Sequence, residues 1–284
     1  MKIIIFGGSG FLGINLAKHL LNKKANVTIF DKKKANLKHK NLKKIIGNIS
    51  DYKKVKKAVK GHDYVYNFAG ISDIEESINK PFDTVNINIL GTINTLEACI
   101  KNNIKKYLFA SSIYVLSDQG GFYRTSKKAS ELYIEEYNKR FNQKFTIIRY
   151  GSIYGIAADK RNGISKILNI AKKNNRLEYG GTNKAMRKFI HILDACKATE
   201  DLMKKKFDNK IVCIMGKKST KIKDLMKYLK KKLNIKKNII YNNKPQLGHY
   251  DINPFNYKST KTIFYYRKKN INFFKGLKEI IKQN

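Results

Sequence analysis

The opening stretch constrains the fold more than any other. In Lys2-Ile-Ile-Ile-Phe6-Gly7-Gly-Ser-Gly10-Phe11-Leu12-Gly13 a short apolar run breaks into three glycines spaced three apart, then takes up helical spacing. The pattern predicts a buried strand feeding a tight turn and a helix N-terminus. Gly7 permits the sharp turn, Gly10 lets backbone approach a diphosphate with no Cβ in the way, and Gly13 lets the helix pack close to the sheet. Phe11 and Leu12 open the helix, where unpaired N–H groups face the phosphates. With 18 glycines in 284 residues, chance supplies such a pattern roughly 0.07 times.

Eighteen residues past Gly13, the run Val27-Thr-Ile-Phe30 ends at Asp31. A carboxylate there accepts hydrogen bonds from both adenosine ribose hydroxyls and repels a 2′-phosphate, so NAD is expected over NADP. Lys32, Lys33 and Lys34 follow at once and read as solvated surface. The next apolar run ends in Gly47-Asn48-Ile49-Ser50-Asp51, where Asn48 would bond an adenine and Ile49 cover it. Ser50 or Asp51 would cap the following helix. Asp63-Tyr-Val-Tyr-Asn67-Phe68-Ala69-Gly70 is a strand running into small residues that leave room for a flat ring across the switch point.

A formal charge of +39 invites a nucleic-acid reading. The excess, however, is lysine spread along nearly every segment, with few arginines and no basic block interleaved with aromatics. Lysine, asparagine and isoleucine dominate together, as an AT-biased coding sequence would produce. A solvated lysine surface is the expectation, not a nucleic-acid groove. Cys99, Cys196 and Cys213 sit in apolar patterns and read as buried thiols in a reducing compartment. The histidines show no ligand spacing, so no metal is expected. No apolar run approaches the length of a membrane span or a signal peptide, which predicts a cytoplasmic protein.

From about Pro81 to Asn102 helical spacing recurs, with Asn88, Gly91 and Thr92 inside it. An interior glycine costs about 1 kcal/mol against alanine, and close packing would explain it. Lys105 to Ser112 is the next strand, ending in two hydroxyls, and a long helix opens around Tyr123. Tyr-x-x-x-Lys alone is no evidence. About three matches are expected from composition, and the chain holds five, at Tyr52, Tyr123, Tyr228, Tyr257 and Tyr265. Position decides, because only Tyr123 follows a strand ending in hydroxyls, with Lys127 one helical turn on. Lowering a phenol by ~3 pKa units requires about 4 kcal/mol of preferential phenolate stabilisation. Lys127 beside an oxidised nicotinamide is the expected source. Ser112 would hold a substrate hydroxyl while Tyr123 takes its proton.

In this order the chain resembles the NAD-dependent epimerase/dehydratase family, the extended short-chain dehydrogenases, and is similar to the nucleotide-sugar 4-epimerases over nearly its whole length. The resemblance implies an α/β fold, a doubly wound parallel Rossmann sheet with a small C-terminal substrate lobe. It implies Ser112, Tyr123 and Lys127 as the catalytic set. Gly7, Gly10, Phe11, Leu12, Gly13, Asp31, Asn48, Ile49, Phe68, Ala69, Gly70 and Asn88 would hold NAD, with Tyr123 and Lys127. Ser152 falls where the family's substrate-side asparagine is usual, and Arg187 matches an arginine that holds the substrate diphosphate. A second diphosphate arginine has no counterpart in Pro245-Gln-Leu-Gly-His-Tyr250.

The division expected is a Rossmann domain over 1–150, rejoined at about 189–212, and a lobe from 151–188 and 213–284. A homodimer through a four-helix bundle of helices near 84–102 and 123–141 is also implied. The expected activity is transient oxidation at C4 of a nucleotide-linked sugar and reduction from the other face. The rivals are 4,6-dehydration, decarboxylation or net oxidation by the same family, and a non-catalytic RNA-binding or NAD-sensing relative. Dehydratases of the family place Asp-Glu directly after the catalytic hydroxyl, where this chain has Ile113 and Tyr114.

Overall fold

The structure is a computed structural model that describes residues 1–159, 162–242, 249 and 262–283. Eight strands form one sheet: β1 (Lys2–Phe6), β2 (Asn26–Asp31), β3 (Leu42–Ile46), β4 (Tyr64–Asn67), β5 (Lys106–Ser112), β6 (Phe145–Tyr150), β7 (Lys210–Ile214) and β8 (Thr262–Tyr265). Their order across the sheet is β8-β7-β6-β5-β4-β1-β2-β3, and every neighbouring pair is parallel. Parallel neighbours need crossover connections, and helices covering both faces explain why the central strands are apolar on both sides.

The helices are α1 (Phe11–Asn22), α2 (Tyr52–Val59), α3 (Ile74–Asn79), α4 (Pro81–Thr84), α5 (Gly91–Lys101), α6 (Gly121–Phe141), α7 (Gly163–Asn174), α8 (Ile192–Asp201), α9 (Ile222–Lys232) and α10 (Phe273–Gln283). Alternation along β1 divides the core. Ile3 and Ile5 pack with Leu16 and Leu20 of α1 and Ala195 and Ala198 of α8. Ile4 and Phe6 face the other way, onto Val55 of α2, Leu96 of α5 and Ile134 of α6. Asp51 caps α2, its Oδ1 accepting the Lys54 N–H at 3.0 Å. None of the helices in the described residues is long and apolar enough to cross a membrane. The three cysteines are buried and unpaired, and burial pushes the Cys196 and Cys213 thiols up to about 12.

A separate core joins Ile164 and Leu168 of α7, Leu225 and Leu229 of α9, and Leu277 and Ile280 of α10. This is the smaller lobe. Cys213–Ile214 and Thr262–Tyr265, assigned to the lobe from sequence, lie in the large sheet, with Thr262–Tyr265 registering on Ile211–Ile214. β7 would otherwise leave an open edge, which a β-branched and aromatic strand closes.

The helix predicted over 81–102 is also not uniform. Between α4 and α5, Val85–Leu90 is wound as a π-turn, the i→i+5 form that recurs at functional sites. Gly91 follows it, and a Cβ there would lie 2.7 Å from Ile49 Cγ2. Close helix packing on Ile49 therefore accounts for the interior glycine.

Candidate active site

The crevice lies where the chain leaves β1, since β1 is flanked by β2 on one side and β4 on the other. Gly7 has φ of +73° and donates its N–H to the Phe30 carbonyl at 2.9 Å. A Cβ at Gly7 would stand 2.5 Å from Ala69 N, and one at Gly13 would stand 2.4 Å from the Gly7 carbonyl oxygen. Backbone fills both places. Gly10 is different: its φ is an ordinary −73°, and a Cβ would meet only the Gly7 oxygen, at 3.3 Å. The protein leaves open the space in front of Gly10, at the mouth of α1, where a diphosphate would approach. Phe11 and Leu12 begin α1 beside it and pack part-buried on the core.

Asp31 ends β2 within reach of this turn. Its Oδ2 accepts the Ser9 N–H at 3.0 Å and its Oδ1 the Lys33 N–H at 2.9 Å. Each carboxylate oxygen keeps a lone pair for a ribose hydroxyl. Lys32, Lys33 and Lys34 are exposed. Asn48 is exposed too, its Oδ1 taken by the Ser50 N–H. Ile49, expected to cover an adenine, is buried and packs against the bare Cα of Gly91, where an apolar β-branched side chain fills the gap.

Backbone from Phe68 to Gly70 links the glycine turn to α6. Buried Asn67 fixes this segment, donating to the Tyr107 phenol at 2.9 Å and accepting the Ala69 N–H at 3.2 Å. Phe68 packs edge-on to Tyr66 and Tyr150. A Cβ on Gly70 would sit 2.8 Å from Asn88 Oδ1 and 3.5 Å from Lys127 Nζ. Asn88, expected among the cofactor contacts, has its amide turned inward. Its Oδ1 accepts the Ile71 N–H at 2.8 Å, and its Nδ2 donates to the Ile71 carbonyl at 3.0 Å and to Ser126 Oγ at 2.8 Å. With both amide hydrogens spent, Asn88 clamps the Gly70 loop to α6 and so acts as a positioning residue.

The structure brings Ser112, Tyr123 and Lys127 together. Ser112 ends β5, and Tyr123 and Lys127 lie one turn apart on α6; all three are buried. Burial pushes the Tyr123 phenol up, and its hydrogen bond with Ser112 pulls against that rise. Lys127 Nζ donates to the Ala110 carbonyl at 2.9 Å and stands 4.7 Å from the centre of the Phe109 ring. Burial pushes its ammonium down to about 8, with the Glu131 charge holding it up. Burial thus holds the phenol up in the free protein. Lys127 beside an oxidised nicotinamide would act against that rise.

Sequence reading missed the support behind this set. Glu131 is four residues past Lys127 on the same helical face. Its Oε1 accepts Ser111 Oγ at 2.6 Å and Arg149 Nε at 3.0 Å, while its Oε2 accepts Arg149 Nη2 at 2.6 Å.

On the substrate side, Ser152 lies in a short strand, Ser152–Tyr154, paired with Phe189–His191. Its N–H donates to the Lys188 carbonyl at 3.2 Å. Arg187 is buried, with Nη1 on the Met186 carbonyl at 2.8 Å and Nη2 on the Tyr179 phenol at 3.3 Å. Tyr114 Oη lies 2.7 Å from His249 Nδ1. Apart from His249, the segment Pro245–Tyr250 is outside the described residues. Among the described residues no group of His, Cys, Asp and Glu is arranged to hold a metal.

A putative UDP-glucose 4-epimerase of Methanocaldococcus jannaschii is 28% identical over 269 residues, covering 87% of each chain. A dTDP-D-glucose 4,6-dehydratase of Dictyostelium discoideum is 27% identical over 241 residues, 72% of this chain and 56% of that protein. Among solved structures, the UDP-glucose 4-epimerase of Thermotoga maritima with UDP-glucose has a TM-score of 0.87 at 22% identity, covering 100% of this chain and 99% of that one. The NAD dependent epimerase/dehydratase family model matches residues 3–214, from β1 through the last residue of β7. It takes in the glycine turn, Asp31 and the Ser112, Tyr123 and Lys127 cluster, and by that match this chain belongs to the NAD-dependent epimerase/dehydratase family.

Proposed function

We propose that the protein is a nucleotide-sugar 4-epimerase. The observation that carries this reading is a buried Ser112, Tyr123 and Lys127 cluster with no carboxylate at the two positions after Ser112. Ile113 is packed in the core with Cys213 and Met215, and Tyr114 is bonded to His249. An elimination needs an acid to protonate the leaving hydroxyl, and the carboxylic acids that dehydratases of the family place at these two positions are replaced by an aliphatic side chain and a phenol held by His249.

The turn from Gly7 to Gly13 would hold the NAD diphosphate and Asp31 its adenosine ribose. NAD, when bound, supplies a reversible hydride acceptor at the sugar C4. Ser112 holds the C4 hydroxyl, and Tyr123 takes its proton and later returns it. Lys127, on the Ala110 carbonyl and against Gly70, keeps positive charge near the phenolate. Arg187 pairs with the substrate diphosphate, a task suited to a guanidinium. Cytosolic nucleotide sugars are the substrate class, and the lysine surface has no part in the chemistry.

The test is incubation with NAD and a panel of UDP-, GDP- and dTDP-sugars at physiological salt. A new sugar isomer of unchanged mass is expected. A product lighter by about 18 or 44 mass units, one water or one CO₂, would make the activity a lyase. No turnover with any sugar, together with RNA affinity that survives such salt, would favour a binding protein.

We also infer a homodimer through α5 and α6. Around them Phe82, Val85, Leu90, Leu132, Tyr133 and Phe141 are exposed, Phe82 by 81%, an apolar face of the kind that marks protein contacts. Sedimentation should give twice the 32.8 kDa chain mass, and Leu132→Glu with Tyr133→Glu should give the monomer.

A further inference from the structure

Beyond Tyr123 lie two side chains that the reaction scheme leaves unused. Tyr114 lies in the short 3₁₀ turn Ile113–Leu116 directly after Ser112. Its ring meets that of Tyr123 edge-on, with centroids 6.3 Å apart. On its other side it meets His249 edge-on at 5.9 Å, with the phenol oxygen 2.7 Å from Nδ1. His249 feels the charges of Arg187 and Lys166, and the opposing charge of Asp73; Lys166 and Asp73 are 4.0 Å apart. Tyr114 thus joins Tyr123 to His249, and His249 lies within range of the Arg187 charge. A sugar reaching from Tyr123 to Arg187 would lie beside this pair.

Burial, reinforced by Arg187 and Lys166, pushes the His249 imidazolium down to about 4, so the ring is neutral at neutral pH. A neutral imidazole that accepts the phenol proton at Nδ1 carries its own proton on Nε2. Resting on the nucleotide-sugar reading above, we propose that Tyr114 and His249 are the specificity-determining wall of the sugar pocket. The phenol fixes the tautomer, and Nε2–H donates to an oxygen of the hexose, a ring hydroxyl or a C6 carboxylate. A donor set for one such oxygen discriminates against sugars that lack it, because it is then left unpaired.

The test uses the full chain loaded with NAD, titrated calorimetrically with UDP, UDP-glucose and UDP-glucuronate. Wild type is compared with Tyr114→Phe, His249→Asn and His249→Gln. UDP affinity should be unchanged in all four proteins. The extra affinity conferred by the sugar should fall about tenfold in Tyr114→Phe and His249→Asn, the worth of one hydrogen bond. His249→Gln should restore it, since the glutamine amide nitrogen reaches the place of Nε2 and that of asparagine does not. Loss on both sugars identifies a hydroxyl as the acceptor, and loss confined to UDP-glucuronate identifies the carboxylate. Equal losses for UDP and the UDP-sugars, no loss at all, or equal behaviour of Gln and Asn would each overturn the proposal. UDP that binds wild type with an unaltered sugar increment in the variants sinks this inference alone; UDP that fails to bind wild type sinks the nucleotide-sugar reading with it.

Discussion

Tyr123→Phe should lower kcat by about 10²–10⁴-fold, the range for loss of a positioned acid/base group, while NAD affinity stays within about twofold and the melting temperature barely moves. The phenol is buried and its pKa is raised, so at neutral pH the substitution removes no charge from the free protein. Ser112 Oγ loses one partner but still accepts the Tyr114 N–H at 3.3 Å, which limits the stability cost to about 1 kcal/mol. Steady-state formation of the sugar isomer, a thermal melt and an NAD titration together check the expectation. Undiminished turnover would remove Tyr123 from the chemistry. In wild type the rate should rise with pH as the phenol ionises, because the deprotonated form is the base.

Glu131→Ala carries the largest stability effect. Glu131 and Arg149 form a buried pair, with side chains 4% and 5% exposed. Removing one member strands the other charge out of water, which costs about 3–5 kcal/mol. Ser111 loses its acceptor as well. The double change Glu131→Leu with Arg149→Met should recover most of the loss, since no lone charge then remains buried. Urea denaturation of the three proteins measures this. A second readout separates packing from chemistry: the Glu131 charge holds the Lys127 ammonium up against burial. Without it Lys127 loses its proton at lower pH, so activity should fall off at a less alkaline pH than in wild type. A purely structural role would leave the pH profile in place.

What could be read in the sequence shares one property: each feature is a local pattern tied to the end of a strand. The glycine turn, Asp31 and Ser112 qualify, and Tyr123 and Lys127 were separable from four other matches only by the strand before them. What could not be read depends on distant partners. The π-turn holds Asn88, which bonds residues 17 and 38 positions away, while its own sequence reads as plain helix. Ile49 stands just past a strand end, which is visible in sequence, and packs on Gly91, which is not. The Glu131–Arg149 pair joins a helix to a strand 18 residues on, and Tyr114 meets His249 across 135 residues. The edge strand Thr262–Tyr265 is too short, and too far from β7 in sequence, for alternation alone to place it.

A ribosome making this chain releases β6 well before its partner on the far side. Phe145–Tyr150 is buried at every position, with β5 paired on one edge and β7 on the other and both faces of the sheet covered. Between Tyr150 and Lys210 lie roughly 60 residues, about 3–12 s of synthesis at ~5–20 residues per second. For that interval the nascent chain can hold β1 to β6 as a sheet, with an apolar edge open to any passing strand. α7 is already made but has nothing to pack on, since α9 and α10 come later still. A translation pause just upstream of residue 210 would prolong the exposure of both surfaces, so this is the stretch of synthesis where a chaperone matters most.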